Sequence, residues 1–88
     1  MIKNINYKTS GVCSRRINIS IDTDTETVVD VKFEGGCSGN TQGVAALIAG
    51  MNIDEAISRL DGIHCGPRST SCPDQLSRAL KAYKAEQA

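Results

Sequence analysis

Aromatic side chains are scarce in this chain: Tyr7, Phe33 and Tyr83 are the full set, and tryptophan is absent. An excess of either charge sign is also missing, because ten Lys and Arg balance ten Asp and Glu. That balance removes the electrostatic footprint expected of a nucleic-acid or anionic-lipid binder. No apolar run approaches the length of a bilayer span, so no membrane partner is expected. Met1 to Ser10 is polar and lacks the apolar core of a secretion signal, which places the protein in the cytoplasm as an expectation. The 88 residues read as one domain, residues 1–88, with no linker or repeat. A chain of this length buries only roughly 60–65% of its unfolded surface. Its core is adequate but marginal, and a covalent or metal staple would help.

The chain does contain two kinds of periodicity, in sequence. Ile5 and Tyr7 suggest a short first strand. Ile17, Ile19 and Ile21 alternate with polar residues, as do Val29, Val31 and Phe33, with a polar turn from Asp22 to Glu26 between them. Two period-two runs around a short turn predict an antiparallel hairpin, ended by Gly35-Gly36. The period then lengthens. Val44, Leu47, Ile48 and Met51 mark one helical stripe. Asn52 and Glu55 resemble a capping box ahead of Ile53, Ala56, Ile57 and Leu60. Ser71, Pro73 and Asp74 predict a third helix start, with Leu76, Ala79, Leu80 and Tyr83 as its inner face. Strands followed by helices read as α+β: a small antiparallel sheet of about three strands with three helices packed on one face.

The four cysteines fall off every apolar stripe. Cys13 precedes the second strand, Cys37 lies between the third strand and the first helix, Cys65 follows the second helix, and Cys72 opens the third. A merely buried cysteine should sit among the Val and Ile positions. A reducing cytoplasm disfavours permanent disulfides. Metal ligation is therefore the leading reading and inert burial the second. Cys37 and Cys72 are near helix N-termini, which favour negative charge, and metal ligation uses ionised sulfur. Four thiolates suit zinc or an iron–sulfur cluster rather than hard cations. No CxxC pair is present, so the pattern is not that of a zinc finger.

Other residues have two readings each. Cys65 and Cys72, separated by a short loop, could close a disulfide reversibly and do redox work. His64 is either a ligand or second donor to the site, or a loop histidine in water. Arg15, Arg16 and Arg68 either offset thiolate charge or are solvated surface. Asp74 is read as serving the helix terminus rather than a metal. Gly35 to Asn40 follows a strand and opens a helix, as phosphate loops do, but lacks the Gly-Lys-Ser/Thr ending. No positioned base, nucleophile pair or cofactor cradle names a catalysed reaction.

Thr70-Ser71-Cys72-Pro73-Asp74 spells the motif that names the TSCPD domain family, and the length, the four cysteines and the segment from Val31 to Tyr83 resemble that family. Such domains also end adenosylcobalamin-dependent ribonucleotide reductases. The resemblance implies a cysteine-bearing, metal-binding module with a ribonucleotide reductase or another redox protein as partner. It does not imply reductase activity, since 88 residues leave no room for the radical-bearing barrel. A more distant resemblance is to the U-type iron–sulfur scaffolds, carried by Cys13, Gly36-Cys37, Asp54-Glu55-Ala56 and His64-Cys65 in the same order. Arg15 stands where those scaffolds have Asp, and Leu60-Asp61-Gly62-Ile63 replaces their chaperone motif. Cys72 is an added thiolate. These departures favour a retained metal over cluster hand-off.

The expectation is a metal-binding module with Cys13, Cys37, Cys65 and Cys72 as ligands, zinc being favoured slightly over an iron–sulfur cluster. The alternatives are a thiol redox accessory using Cys65 and Cys72, and a small-ligand or interaction module built on the Gly35 to Asn40 turn.

Overall fold

The computed structural model describes residues 1–12, 14–35, 38–64 and 70–87. Three strands, β1 (Ile2–Lys8), β2 (Ser14–Asp22) and β3 (Thr27–Gly35), precede three helices, α1 (Ser38–Ile48), α2 (Ile53–Leu60) and α3 (Cys72–Gln87). The sheet is antiparallel throughout, in the order β1-β2-β3. The expected α+β architecture is what the chain adopts.

The alternation in β2 explains why the sheet has two unlike faces. Ile17, Ile19 and Ile21 are fully buried and pack with Ile48, Ile53, Ala56, Leu60, Leu76, Leu80 and Tyr83 from the helices. Period-two geometry sends Asn18 and Ser20 to the other side. There Asn6 donates to Asn18, Asn18 donates to Glu34 at 2.7 Å, and Ser20 donates to Asn4 at 2.8 Å. The helices thus form one layer on one face of the sheet, and the opposite face is polar and open.

Three details differ from the sequence reading. β1 runs seven residues rather than the few around Ile5 and Tyr7. In β3 the buried pair is Val28 and Val31, while Val29 is 43% exposed. The cause is a bulge: Ser20 is opposite Asp30 and Ile21 opposite Val28, so Val29 is the extra residue and the alternation breaks there. On α1, Leu47 is 78% exposed, and the covered side is Thr41, Val44, Ala45 and Ile48. That set fits against β3, which leaves Leu47 to one side of the contact.

The link between α1 and α2 covers the start of β3's outer edge. Val28 donates to Met51 at 2.9 Å, Gly50 donates to Val28 at 2.7 Å, and Ile53 donates to Glu26 at 2.9 Å. Pairing of this kind blunts a strand edge that would otherwise invite association. Glu26, in a left-handed conformation at the β2–β3 turn, also receives the Tyr83 hydroxyl at 3.3 Å and the Lys84 ammonium at 3.1 Å. Burial raises the Tyr83 phenol above its ordinary value, and the Glu26 carboxylate adds to the effect.

Candidate functional site

The Thr70-Ser71-Cys72-Pro73-Asp74 segment forms the N-terminus of α3, and every one of its residues is buried. Its local chemistry dictates a helix start. The Ser71 hydroxyl accepts the Asp74 N–H at 3.2 Å, and the Ser71 carbonyl accepts the Gln75 N–H at 2.8 Å. Pro73 lies in the first turn, where its missing donor would have had no helical acceptor. The Ser71 hydroxyl also donates to the Ile63 carbonyl at 2.5 Å, which ties the end of the α2–α3 connection to the helix start.

Asp74 is the hub of this corner. One carboxylate oxygen accepts the Gly62 N–H at 2.8 Å. The other accepts the Thr70 hydroxyl at 2.6 Å and lies 3.0 Å from the Arg78 Nε. Burial works against ionisation of this carboxyl. The Thr70 hydroxyl, the Gly62 N–H and the Arg78 guanidinium outweigh it and hold the group below its ordinary value. Gly62 has φ +81°, a conformation that an L side chain adopts only with strain, and this presents its N–H to Asp74. Gln75 extends the network, donating to Thr70 at 3.0 Å and accepting the Ser10 N–H at 3.1 Å. Ser77 donates to the Asp74 carbonyl at 2.7 Å. Among the described residues no buried side-chain nitrogen or oxygen lacks a partner. The Asp74 oxygens are committed to protein donors, and two of these, Gly62 and Thr70, come from the segment ahead of the helix rather than from its terminal N–H groups.

Cys72 is the first residue of α3 and is 9% exposed. Its Sγ lies 3.2 Å from the Ser14 Oγ on β2. Ser14 reaches this position because of a second bulge. Ser14 is opposite Gly35 and Arg16 opposite Glu34, so Arg15 is the extra residue. Strict alternation from Ile17 would bury Arg15 and expose Ser14. The bulge reverses this, leaving Arg15 and Arg16 exposed and Ser14 buried beside Cys72. Thr9 fixes the bulge by donating its N–H to the Arg15 carbonyl at 3.1 Å and its hydroxyl to the Ser14 carbonyl at 2.5 Å.

Cys13, Cys37, Cys65 and Arg68 lie outside the described residues, as does the Gly36-Cys37 part of the Gly35 to Asn40 turn. Among the described residues no group of three or more His, Cys, Asp or Glu is arranged to hold a metal. His64 and Arg15 are exposed. The described sequence neighbours of the cysteines do meet. Ser14, next to Cys13, pairs with Gly35, two residues before Cys37. Ser14 also touches Cys72, and Ile63, two residues before Cys65, is bonded to Ser71.

Sequence reasoning missed Ser14, Thr9 and Gln75. One signal for Ser14 was available: Arg15 and Arg16 in succession cannot both point outward from an unbroken strand whose inner face begins at Ile17. Among the described residues no helix is long and apolar enough to cross a membrane. No curated protein and no solved structure matches the chain. The family model for the TSCPD domain matches residues 3–84, nearly the full length. With its signature pentapeptide forming the start of α3, the chain belongs to the TSCPD domain family.

Proposed function

We propose that this domain binds a metal through Cys13, Cys37, Cys65 and Cys72, with Zn²⁺ ahead of an iron–sulfur cluster. The observation that carries the reading is the buried Cys72 sulfur at the start of α3, facing Ser14 where β2, β3 and the α2–α3 connection come together. The donor chemistry fits. Soft sulfur selects zinc or iron–sulfur chemistry, and a four-thiolate site is closed and structural. Such a metal would supply a cross-link between the sheet and the helical layer. Cys72 would be one ligand, and the Ser14 hydroxyl is placed to donate a hydrogen bond to its sulfur. The Ser71 cap and the Asp74 network hold that sulfur's backbone in place. A reducing cytoplasm keeps the thiols available, and a ribonucleotide reductase or redox partner is the association carried by the family resemblance.

Elemental analysis and visible absorption of anaerobically purified protein test the reading. Bound zinc, or iron with visible absorption, is expected, and chelation should lower the thermal midpoint. The Cys72→Ala variant should lose metal, while Ser14→Ala should retain it with weaker affinity, by about tenfold. A reduced, metal-free protein whose midpoint is unmoved by chelator and by added zinc would overturn it. Loss of two thiols on mild oxidation of such metal-free protein would point instead to a Cys65–Cys72 redox pair.

A further inference from the structure

The chain is neutral overall, but its charges are segregated. Lys3, Arg59, Arg78, Lys81 and Lys84 each lie within ion-pair distance of a carboxylate. Among the described residues no carboxylate lies within that distance of Lys8, Arg15, Arg16 or Lys32, and all four are exposed. These four are neighbours. Lys8 is opposite Arg16 in the β1–β2 pairing, and Lys32 is opposite Asn18 in the β2–β3 pairing. Directly opposed residues share a face, so Lys8, Arg16 and Lys32 project from the open side of the sheet with Asn6, Asn18 and Glu34, and exposed Asp30, opposite Ser20, bounds the cationic end beyond Lys32. Arg15, the extra residue of the bulge, joins Lys8 and Arg16 in lining a cleft of about 470 Å³ with Thr9, Ser14 and Glu34. The bulge that turns Ser14 toward Cys72 therefore also gathers exposed cations at the same end of the sheet.

The geometry points to this cationic end of the open face as a docking surface for an acidic polypeptide segment, one carrying several Asp or Glu. Lys8, Arg16 and Lys32 share the face opposite to the helical layer, so they are not placed to offset charge at Cys72. Their spread also decides against a compact anion. Three strands spaced about 4.8 Å apart place the outer cations on the order of 10 Å from one another. That spacing suits several carboxylates carried along a chain. Glu34, at the end of the Lys8–Arg16 row and receiving the Asn18 amide, would repel a small polyanion centred on the row. An extended segment can pass its carboxylates to either side. Ser14 lines this cleft and also touches Cys72, so metal content is measured beside binding for every variant, and a change in binding at unchanged metal content belongs to the cationic surface alone.

The test uses the full chain and a fluorescein-labelled peptide of alternating Glu and Ser, followed by fluorescence anisotropy at low ionic strength. Binding is expected, weakening steeply as salt rises. Lys8→Gln with Arg16→Gln should weaken it about tenfold without changing metal content, and Lys8→Arg with Arg16→Lys should restore it. Arg59→Gln with Lys81→Gln, distant cations of equal charge, should change affinity by less than about twofold. Absence of peptide binding, or equal binding by the Lys8→Gln/Arg16→Gln variant, would overturn the proposal. So would complete displacement by inorganic phosphate at matched charge, or tighter binding of a single-stranded RNA oligonucleotide than of the peptide.

Discussion

Two helices of this protein begin with the same local grammar. Asn52, Glu55 and Arg59 on α2 have the spacing of Ser71, Asp74 and Arg78 on α3: a cap, an acid three residues on, and an arginine four beyond that. Both caps accept a backbone N–H, from Asp54 at 2.9 Å and from Asp74 at 3.2 Å. Both acids pair with their arginine at 3.0 Å. The environments differ. The Glu55 side chain is 51% exposed and serves only Arg59 and its own helix, so the expected capping box is half formed. The Asp74 side chain is 4% exposed and also holds Gly62 and Thr70, which come from outside its helix. The same three-residue pattern is a surface ornament on α2 and a tertiary joint on α3. What separates them is the second set of partners, which the pattern itself does not specify.

The largest break in this comparison should come from Asp74→Ala. The change strands the Thr70 hydroxyl in a buried corner, leaves the part-buried Gly62 N–H without its acceptor and removes the partner of Arg78. The buried Thr70 hydroxyl and part-buried Gly62 N–H left without their charged acceptor, with the loss of the half-exposed Arg78 pair, together predict a loss of about 3 kcal/mol. For a domain of this size that lowers the thermal midpoint by roughly 15 °C, measurable by circular dichroism. A loss no larger than that of Glu55→Ala would show the corner to be as replaceable as the α2 surface.

Acid should reveal the same joint by a smaller effect. The Asp74 carboxyl is held below its ordinary value in the folded protein. Its contribution is therefore fully present above the unfolded-state value of about 3.9 and fades as pH falls through the lower folded value. Denaturant unfolding of wild type and Asp74→Asn between neutral and strongly acid pH should give curves that converge as acid is added. Parallel curves would mean the charge itself contributes nothing.

The sequence showed one side of this contrast and not the other. The α3 start was legible because Ser71, Pro73 and Asp74 signal it locally. The order of strands and helices was legible because Ile17, Ile19 and Ile21 alternate, whereas Leu76, Leu80 and Tyr83 recur at helical spacing. The bulges at Arg15 and Val29 were not, because a bulge depends on what the partner strand demands. For that reason the pattern puts Val29 in the core and passes over Ser14; Leu47 is exposed for another reason, because β3 meets the Thr41, Val44, Ala45 and Ile48 side of α1. Of the candidate site, Cys72 was placed correctly at a helix start. Its contact with Ser14 spans 58 positions, and no local pattern encodes it.

The two caps offer a third, smaller contrast. Ser71→Ala removes the buried acceptor for the Asp74 N–H and the donor of the part-buried bond to the Ile63 carbonyl. About 1–2 kcal/mol is expected. Asn52→Ala removes an exposed cap and should cost about 0.5–1 kcal/mol, the low end of the same range. Equal losses in urea unfolding would indicate that Ser71 acts only on its own helix.

The smallest effect is the sharpest discriminator. Glu55→Ala should cost only about 0.3 kcal/mol, since an exposed i,i+4 pair gains little over its hydrated separate charges. That places the midpoint shift near 2 °C. The size alone is hard to interpret, but its salt dependence is informative. At about 1 M salt the Debye length falls to roughly 3 Å, so the Glu55–Arg59 contribution should vanish and the variant should match wild type. The Asp74→Ala deficit should persist, because the Thr70 hydrogen bond is buried and the Gly62 bond part-buried, both at direct contact that salt screens little. If high salt erased both deficits alike, the α3 corner would be a screened surface pair, and its role in holding Cys72 against Ser14 would lose its physical basis.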